Sequence, residues 1–295
     1  MRIAIAGSSG LIGTELVTSL RSDGHEVIRL VRRTPKAASE VMWNPNTGEI
    51  DVIHLAGVDA FINLAGAGVG DHRWTKRYKK QIFNSRVNAT RTIAQAASTV
   101  GAKTLINASA IGWYGETGTR TVDETSPAGT GFLCDVVVAW EHAAEVARLA
   151  GIRVVHARTG LVVSKHGGAW ARITPLFKLG LGGRLGDGKQ YWSFISMRDE
   201  ISALKFLLTN SQLSGPVNLT APYPATNAEV TATMSTVLRR PAIFNVPAIA
   251  LRVVLGGFAQ EVLGSCRVVP EVLDRHGFLF QDPDITSAMQ TLIAK

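Results

Sequence analysis

Apolar residues in the first 160 positions fall into two rhythms: short β-prone runs, and longer stretches spaced as on a helix. Arg2 to Ala6 and Glu26 to Val31 are strand-length runs, and between them Leu11, Ile12, Leu16, Val17 and Leu20 recur at helical spacing. Further strands are expected at Asp59 to Leu64, Thr104 to Ala108 and Arg153 to Arg158, with helices over Thr75 to Val100 and Asp135 to Ala150. Such alternation predicts an α/β fold, a doubly wound parallel sheet with helices on both faces. After Thr159-Gly160 the rhythm changes. Gly180 to Gly188 reads as a loop, Glu200 to Leu208 as a helix, and Pro216 to Thr220 as a strand returning to the sheet. From about Ala221 the chain is helical with proline punctuation. The expected division is residues 1–160 as the sheet domain, with 199–221 returning to it. Residues 161–198 and 222–295 then form a smaller, mostly helical lobe.

The link between the first strand and helix is Gly7-Ser8-Ser9-Gly10-Leu11-Ile12-Gly13. A turn of this kind brings backbone N–H groups and a helix N-terminus to a pyrophosphate, and side chains at the glycine positions would block that approach. Gly7, Ser9, Gly10, Leu11, Ile12 and Gly13 are therefore candidate cofactor contacts in a Rossmann dinucleotide site. The second strand ends in Arg32 and Arg33, where an NAD-binding chain would hold the ribose 2′-hydroxyl with Asp or Glu. Two cations suit a 2′-phosphate, so the expected cofactor is NADP(H). The competing reading is a solvated strand end with one arginine simply facing water. Leu64, Ala65, Gly66 and Ala108 lie at later strand ends beside the same crevice, and Arg86 could hold cofactor ribose and phosphate or shape the pocket.

Composition narrows the partners. An apolar content of 46% supports a large core, and a net charge of +8 favours anionic ligands, of which a phosphorylated cofactor is one. Cys134 and Cys266 give neither a disulfide framework nor metal spacing, which suits a reducing cytoplasm, and the histidines form no metal pair. No uncharged apolar run is long enough to span a membrane, so no membrane partner is expected. His72 to Lys80 interleaves aromatics with cations, as nucleic-acid binders do, but a helix start with a solvated basic face explains it better. The expected partner is a small-molecule substrate, and the chain a monomer or homodimer.

Chemistry is expected where strand ends meet the crevice. Ser109, after Asn107-Ala108, is placed to hydrogen-bond a substrate carbonyl or hydroxyl, or else to satisfy its own loop. Tyr114 lies on the same loop and could act as an acid, or pack.

These blocks resemble the extended short-chain dehydrogenases/reductases, in the nucleoside-diphosphate-sugar epimerase-like branch, and more narrowly the YfcH-type proteins. The resemblance runs over essentially the whole chain. It rests on Gly7-x-x-Gly10-x-x-Gly13, Asn63-Leu-Ala-Gly66, Arg73-Trp74-Thr75, Ser85-Arg86-Val87 and Ser109-Ala-Ile-Gly-Trp-Tyr114-Gly115. It continues in Trp140-Glu141, Arg158-Thr159-Gly160, Gly182-Gly183-x-x-Gly186-x-Gly188-x-Gln190, Val246-Pro247-Ala248 and Gly277-Phe278-x-Phe280. It implies an NADP(H)-binding oxidoreductase or epimerase-like enzyme acting on a hydroxyl or carbonyl of a small, sugar-nucleotide-like molecule. That superfamily pairs its serine with Tyr-x-x-x-Lys. Here Tyr78, Tyr114, Tyr191 and Tyr223 all lack a lysine four residues on, and by the resemblance Leu133 and Val137 stand in the tyrosine and lysine places. Trp192 stands where an epimerase arginine would meet the substrate diphosphate, leaving Arg184, Lys189 or Arg198 to compensate. Glu141, Asp135 and Tyr114 remain for proton transfer, and Glu141 could equally be a structural ion-pair partner. The other function the residues leave open is a catalytically silent NADP(H)-binding regulator or redox sensor.

Overall fold

The computed structural model describes residues 1–293. The chain runs β1 (Arg2–Ala6), α1 (Leu11–Ser22), β2 (Glu26–Val31), β3 (Glu40–Asn44), β4 (Glu49–Ile50), β5 (Ala60–Asn63), α2 (Lys76–Val100) and β6 (Thr104–Ala110). A 3₁₀ turn (Ile111–Tyr114) leads to β7 (Thr121–Val122), α3 (Phe132–His142), α4 (Glu145–Leu149) and β8 (Arg153–Thr159). Then follow β9 (Leu161–Val163), α5 (Gly168–Lys178), β10 (Gly183–Leu185), β11 (Tyr191–Trp192), β12 (Phe194–Ser196), α6 (Met197–Thr209) and β13 (Gly215–Leu219). The chain finishes with β14 (Ala225–Thr226), α7 (Asn227–Leu238), β15 (Phe244–Val246), α8 (Ala248–Leu255), α9 (Ala259–Leu263), β16 (Arg267–Val268), α10 (Glu271–Arg275) and α11 (Ile285–Ile293).

Eight strands form the main sheet in the order β13-β8-β6-β5-β1-β2-β3-β4, all parallel except the terminal β3–β4 pair. The strand order reverses at β1, flanked by β2 and β5, and that switch point opens the ligand crevice. The period of two in β1 sends its side chains to two cores. Ile3 and Ile5 pack with Leu16, Leu20, Leu204 and Leu207 of α1 and α6, while Ala4 and Ala6 face Ala89, Ile93 and Ala97 of α2. β3 and β4 carry few consecutive apolar residues, which is why periodicity alone does not reveal them.

A third core, around Trp170, Phe177, Phe194, Met234 and Met289, belongs to the smaller lobe. Its geometry departs from the expected loop at Gly180 to Gly188, because β10 within that segment pairs with β15 some sixty residues later. A Cβ on Gly183 would stand 1.9 Å from the Phe244 carbonyl oxygen, so only glycine permits this approach. The expected helix over Asp135 to Ala150 is two helices, α3 and α4, with a turn at Ala143 and Ala144. Residues 271–280 also depart from the expected division. Leu273 and Phe278 are buried in the core beneath the sheet, with Phe278 edge-on to Phe206 of α6, rather than in the helical lobe. Arg198 of α6 pairs with Asp282, whose own backbone N–H donates to Asp199 at 2.8 Å, fixing the C-terminal segment to the sheet domain.

Candidate active site

The glycine turn is shaped as a cradle. Gly7 has φ +74°, and a Cβ there would meet the Leu64 carbonyl at 2.6 Å. A Cβ on Gly13 would stand 2.2 Å from the Gly7 carbonyl oxygen, so α1 packs against the turn only because position 13 has no side chain. Gly10 caps α1 with no side-chain hydrogen bond, leaving the helix N-terminus and the N–H groups of Leu11 and Ile12 directed at the crevice. Ser9 is exposed beside it, and Gly167 of the smaller lobe packs within contact of Leu11. Leu64, Ala65 and Gly66 follow β5 on the opposite wall.

The two arginines after β2 have different fates. Arg33 grips Glu40 through both terminal nitrogens, at 2.8 and 2.7 Å. The Arg33 guanidinium and the Lys36 backbone N–H hold the Glu40 carboxyl down at about 2. Arg32 is exposed and makes no hydrogen bond or ion pair among the described residues. The free cation at this strand end is therefore Arg32, with Arg33 serving to anchor the loop.

Polar contacts lock the ends of β5 and β6 together. Asn63 donates to Thr90 Oγ1 at 2.9 Å and to Asn107 Oδ1 at 2.8 Å, all three being buried. Asn63 and Asn107 were thus legible as strand-end residues, but their role is to bond each other and hold Ala108 and Ser109 in place. Arg86 donates to the Ala67 carbonyl at 2.9 Å and lies over the Trp140 ring at 5.0 Å, beside Gly66. It has no carboxylate partner among the described residues, and burial pulls its guanidinium down to about 10.

The catalytic candidates converge on a residue whose importance the sequence did not signal directly. Ser109 Oγ donates to Glu141 Oε1 at 2.6 Å. Arg158, at the end of β8, grips the same carboxylate from Nε at 2.8 Å and Nη2 at 2.9 Å. Its Nη1 donates to the Tyr114 hydroxyl at 3.1 Å, and its guanidinium lies 4.0 Å from the Trp113 ring centre. Burial works against the Arg158 charge, but Glu141 and Tyr114 outweigh it and raise its pKa. A cation at the inner end of a strand in the middle of the sheet requires a counter-charge, and that was the available signal for the pair.

Tyr114 does not meet the expectation of an acid. It is 2% exposed, and its hydroxyl donates to Asn218 Oδ1 of β13 at 2.7 Å while accepting from Arg158. Burial pushes the phenol up to about 12, and its hydroxyl is taken up between Asn218 and Arg158, which it helps to position. Asp135 is exposed and outside the network. Leu133 and Val137 pack against Gly112 of the serine loop, giving that side of the crevice an apolar wall. Trp192 stands edge-on to Trp170 in the lobe core, and Arg198 is committed to Asp282. At the start of α2, Trp74 donates inward to the Val69 carbonyl and Tyr78 to that of Gly68, so neither presents a ring face for base stacking. Among the described residues no His, Cys, Asp and Glu group could hold a metal, and no helix is long and apolar enough to cross a membrane.

Comparison with known proteins gives the family. Residues 3–220 match the NAD dependent epimerase/dehydratase family, and residues 246–292 match a domain of unknown function, DUF1731. Epimerase family protein Mb2239 of Mycobacterium bovis is 47% identical over 97% of this chain and 96% of its own. The chloroplastic SDR39U1 homolog of Arabidopsis thaliana, also termed an epimerase family protein, is 33% identical over 99% of this chain and 87% of its own. The crystal structure of human epimerase family protein SDR39U1 with NADPH superposes with a TM-score of 0.91 at 29% identity, covering 99% of both chains. With its glycine cradle at the switch point and a serine–carboxylate pair beside it, the chain belongs to the NAD-dependent epimerase/dehydratase family.

Proposed function

We propose that this chain is an NADP(H)-dependent oxidoreductase or epimerase acting on a hydroxyl or carbonyl of a small, sugar-nucleotide-like molecule, with Ser109 and Glu141 moving the proton. One observation carries the reading: the 2.6 Å hydrogen bond from the buried Ser109 hydroxyl, at the end of β6, to Glu141. The glycine turn fits the cofactor, since side chains at Gly7 or Gly13 would strike the backbone of Leu64 or of Gly7 and force this tight turn open. The N–H groups of Leu11 and Ile12 suit the pyrophosphate, Arg32 the 2′-phosphate, and Leu64, Ala65, Gly66 and Ala108 the walls around it. Arg86, a cation without a counter-ion among the described residues, adds positive potential beside Gly66. The bound cofactor supplies hydride exchange.

The protein handles the proton. As a substrate hydroxyl is oxidised, Ser109 Oγ accepts its proton and passes its own to Glu141 Oε1; carbonyl reduction runs the same relay backwards. Arg158 holds both carboxylate oxygens, so the accepting lone pair of Oε1 stays aimed at Ser109. This relay takes the place of a tyrosine–lysine pair, whose positions hold Leu133 and Val137.

The test follows absorbance of protein-bound NADPH in single turnover against a panel of small carbonyls and keto-sugars. Oxidation is expected, slowed about 10²–10⁴-fold by Ser109→Ala or Glu141→Gln with NADPH affinity unchanged. Tight NADPH binding without oxidation across the panel would favour the silent regulator. The cofactor preference has its own test. Arg32→Ala is expected to weaken NADPH about 10- to 100-fold, the worth of a charged hydrogen bond, while leaving NADH unchanged. Equal affinity of the unmodified protein for both nucleotides in a fluorescence titration would sink that assignment.

A further inference from the structure

The outer face of the smaller lobe combines exposed aliphatic side chains with an excess of positive charge. Helix α8 contains no buried residue, although its sequence is Ala-Ile-Ala-Leu-Arg-Val-Val-Leu. Ile249, Val253 and Val254 on it are 73%, 67% and 71% exposed. The helix follows Pro247 directly from β15, which pairs with β10, and a Cβ on Gly180 would stand 3.7 Å from the Pro241 ring. That arrangement places exposed Leu179, Leu181 and Ile243 in the same region. Isolated exposed aliphatics are ordinary on a protein surface, but a concentration of this kind marks an interaction site.

Charge decides the partner. Asp187, Glu229 and Glu261 border this face, but residues 167–186 and 230–260 themselves contain no Asp or Glu. They carry Arg172, which pairs with Asp71, together with Lys178, Arg184, Arg239, Arg240 and Arg252, none of which makes an ion pair among the described residues. A twofold contact with a second copy would set these cations against their own images. Nucleic acid would be bound through ring stacking, and the exposed apolar groups here are aliphatic apart from Phe244. Aliphatic side chains among unpaired cations instead match an anionic lipid surface, where headgroups take the charge and the acyl boundary takes Ile, Leu and Val.

We infer that this face docks the protein on the surface of an anionic phospholipid bilayer, with α8 lying in the interface. This is attachment without spanning, and it revises the expectation that a membrane is no partner. Arg73 Nη2 donates to the Val253 carbonyl at 3.2 Å, so docking through α8 also bears on the loop that leads from Gly66 into α2.

The experiment is vesicle flotation of the full chain with phosphatidylcholine alone or with about 30 mol% phosphatidylglycerol, at low and high salt. Flotation with the anionic vesicles only, lost at high salt, is the expected result. Ile249→Ser/Val253→Ser and Arg239→Gln/Arg240→Gln should each reduce the bound fraction about tenfold without changing the melting temperature, because these side chains are exposed. Failure to float with anionic vesicles overturns the inference, as does undiminished flotation of both variants. A dimer abolished by Ile249→Ser/Val253→Ser would assign the face to a second copy, and displacement of vesicles by single-stranded RNA would assign it to nucleic acid; either result overturns lipid docking.

Discussion

Arg158→Met is expected to destabilise the protein by about 3–5 kcal/mol, because it strands the Glu141 carboxylate, whose only ion-pair partner among the described residues is Arg158. The same substitution is expected to abolish turnover, since Glu141 loses the grip that aims it at Ser109. Urea denaturation separates this from a loss of packing. In the double variant Arg158→Met/Glu141→Leu most of the lost stability should return, as apolar replacement of a whole buried pair is close to neutral, while activity stays absent. If the single variant is as stable as the unmodified protein, the pair does not hold the strand and helix together. Arg158→Lys offers a finer reading, because an ammonium cannot hold two carboxylate oxygens in a planar fork and should retain stability better than activity.

A second large effect is expected at Glu200, on the first turn of α6. Its side chain is fully buried, accepts one hydrogen bond from Thr159 Oγ1 at 2.9 Å, and leaves Oε2 without a partner among the described residues. Burial pushes its carboxyl up to about 8. The native state therefore keeps a proton that the unfolded chain releases near pH 4.5, and the sign follows from linkage: the stabilising contribution is complete below that pH and is lost as pH rises towards 8. The slope is on the order of 1 kcal/mol per pH unit across that window. Glu200→Gln should flatten it, leaving stability near pH 5 little changed and raising it by several kcal/mol at pH 8.5. Denaturation midpoints measured at both pH values decide the matter, and a variant as pH-sensitive as its parent would exclude Glu200 as the source.

The parts of this molecule legible in its sequence are those specified by neighbouring residues. β1, the glycine turn, α1 and β2 are read from one stretch of chain because strand period, turn chemistry and helix period agree there. Ser109 and Glu141 were identifiable as polar residues at a strand end and on a helix, but not as partners; a bond between positions 32 residues apart depends on how α3 crosses β6. Tyr114 misled for the same reason. Its hydroxyl is sealed by Asn218, 104 residues later, and a loop tyrosine carries no local sign of that. The β10–β15 pairing and the split between Arg32 and Arg33 are likewise tertiary. The second turns on Glu40, which the strand after β2 brings back to only one of two adjacent cations.

Residues 246–292 correspond to a family of their own, yet Leu273 and Phe278 complete the core beneath the sheet, β16 pairs with β7, and Asp282 is fixed to Arg198. The boundary between the two matched segments is therefore not a boundary of cooperativity. A chain cut there would expose the apolar underside of α6 in one fragment and strand Phe278 in the other, so neither half would keep its own melting transition. Exchange of the C-terminal module between relatives must therefore carry compensating residues on α6 and β13, or the chimera inherits a cavity in a core that belongs to both.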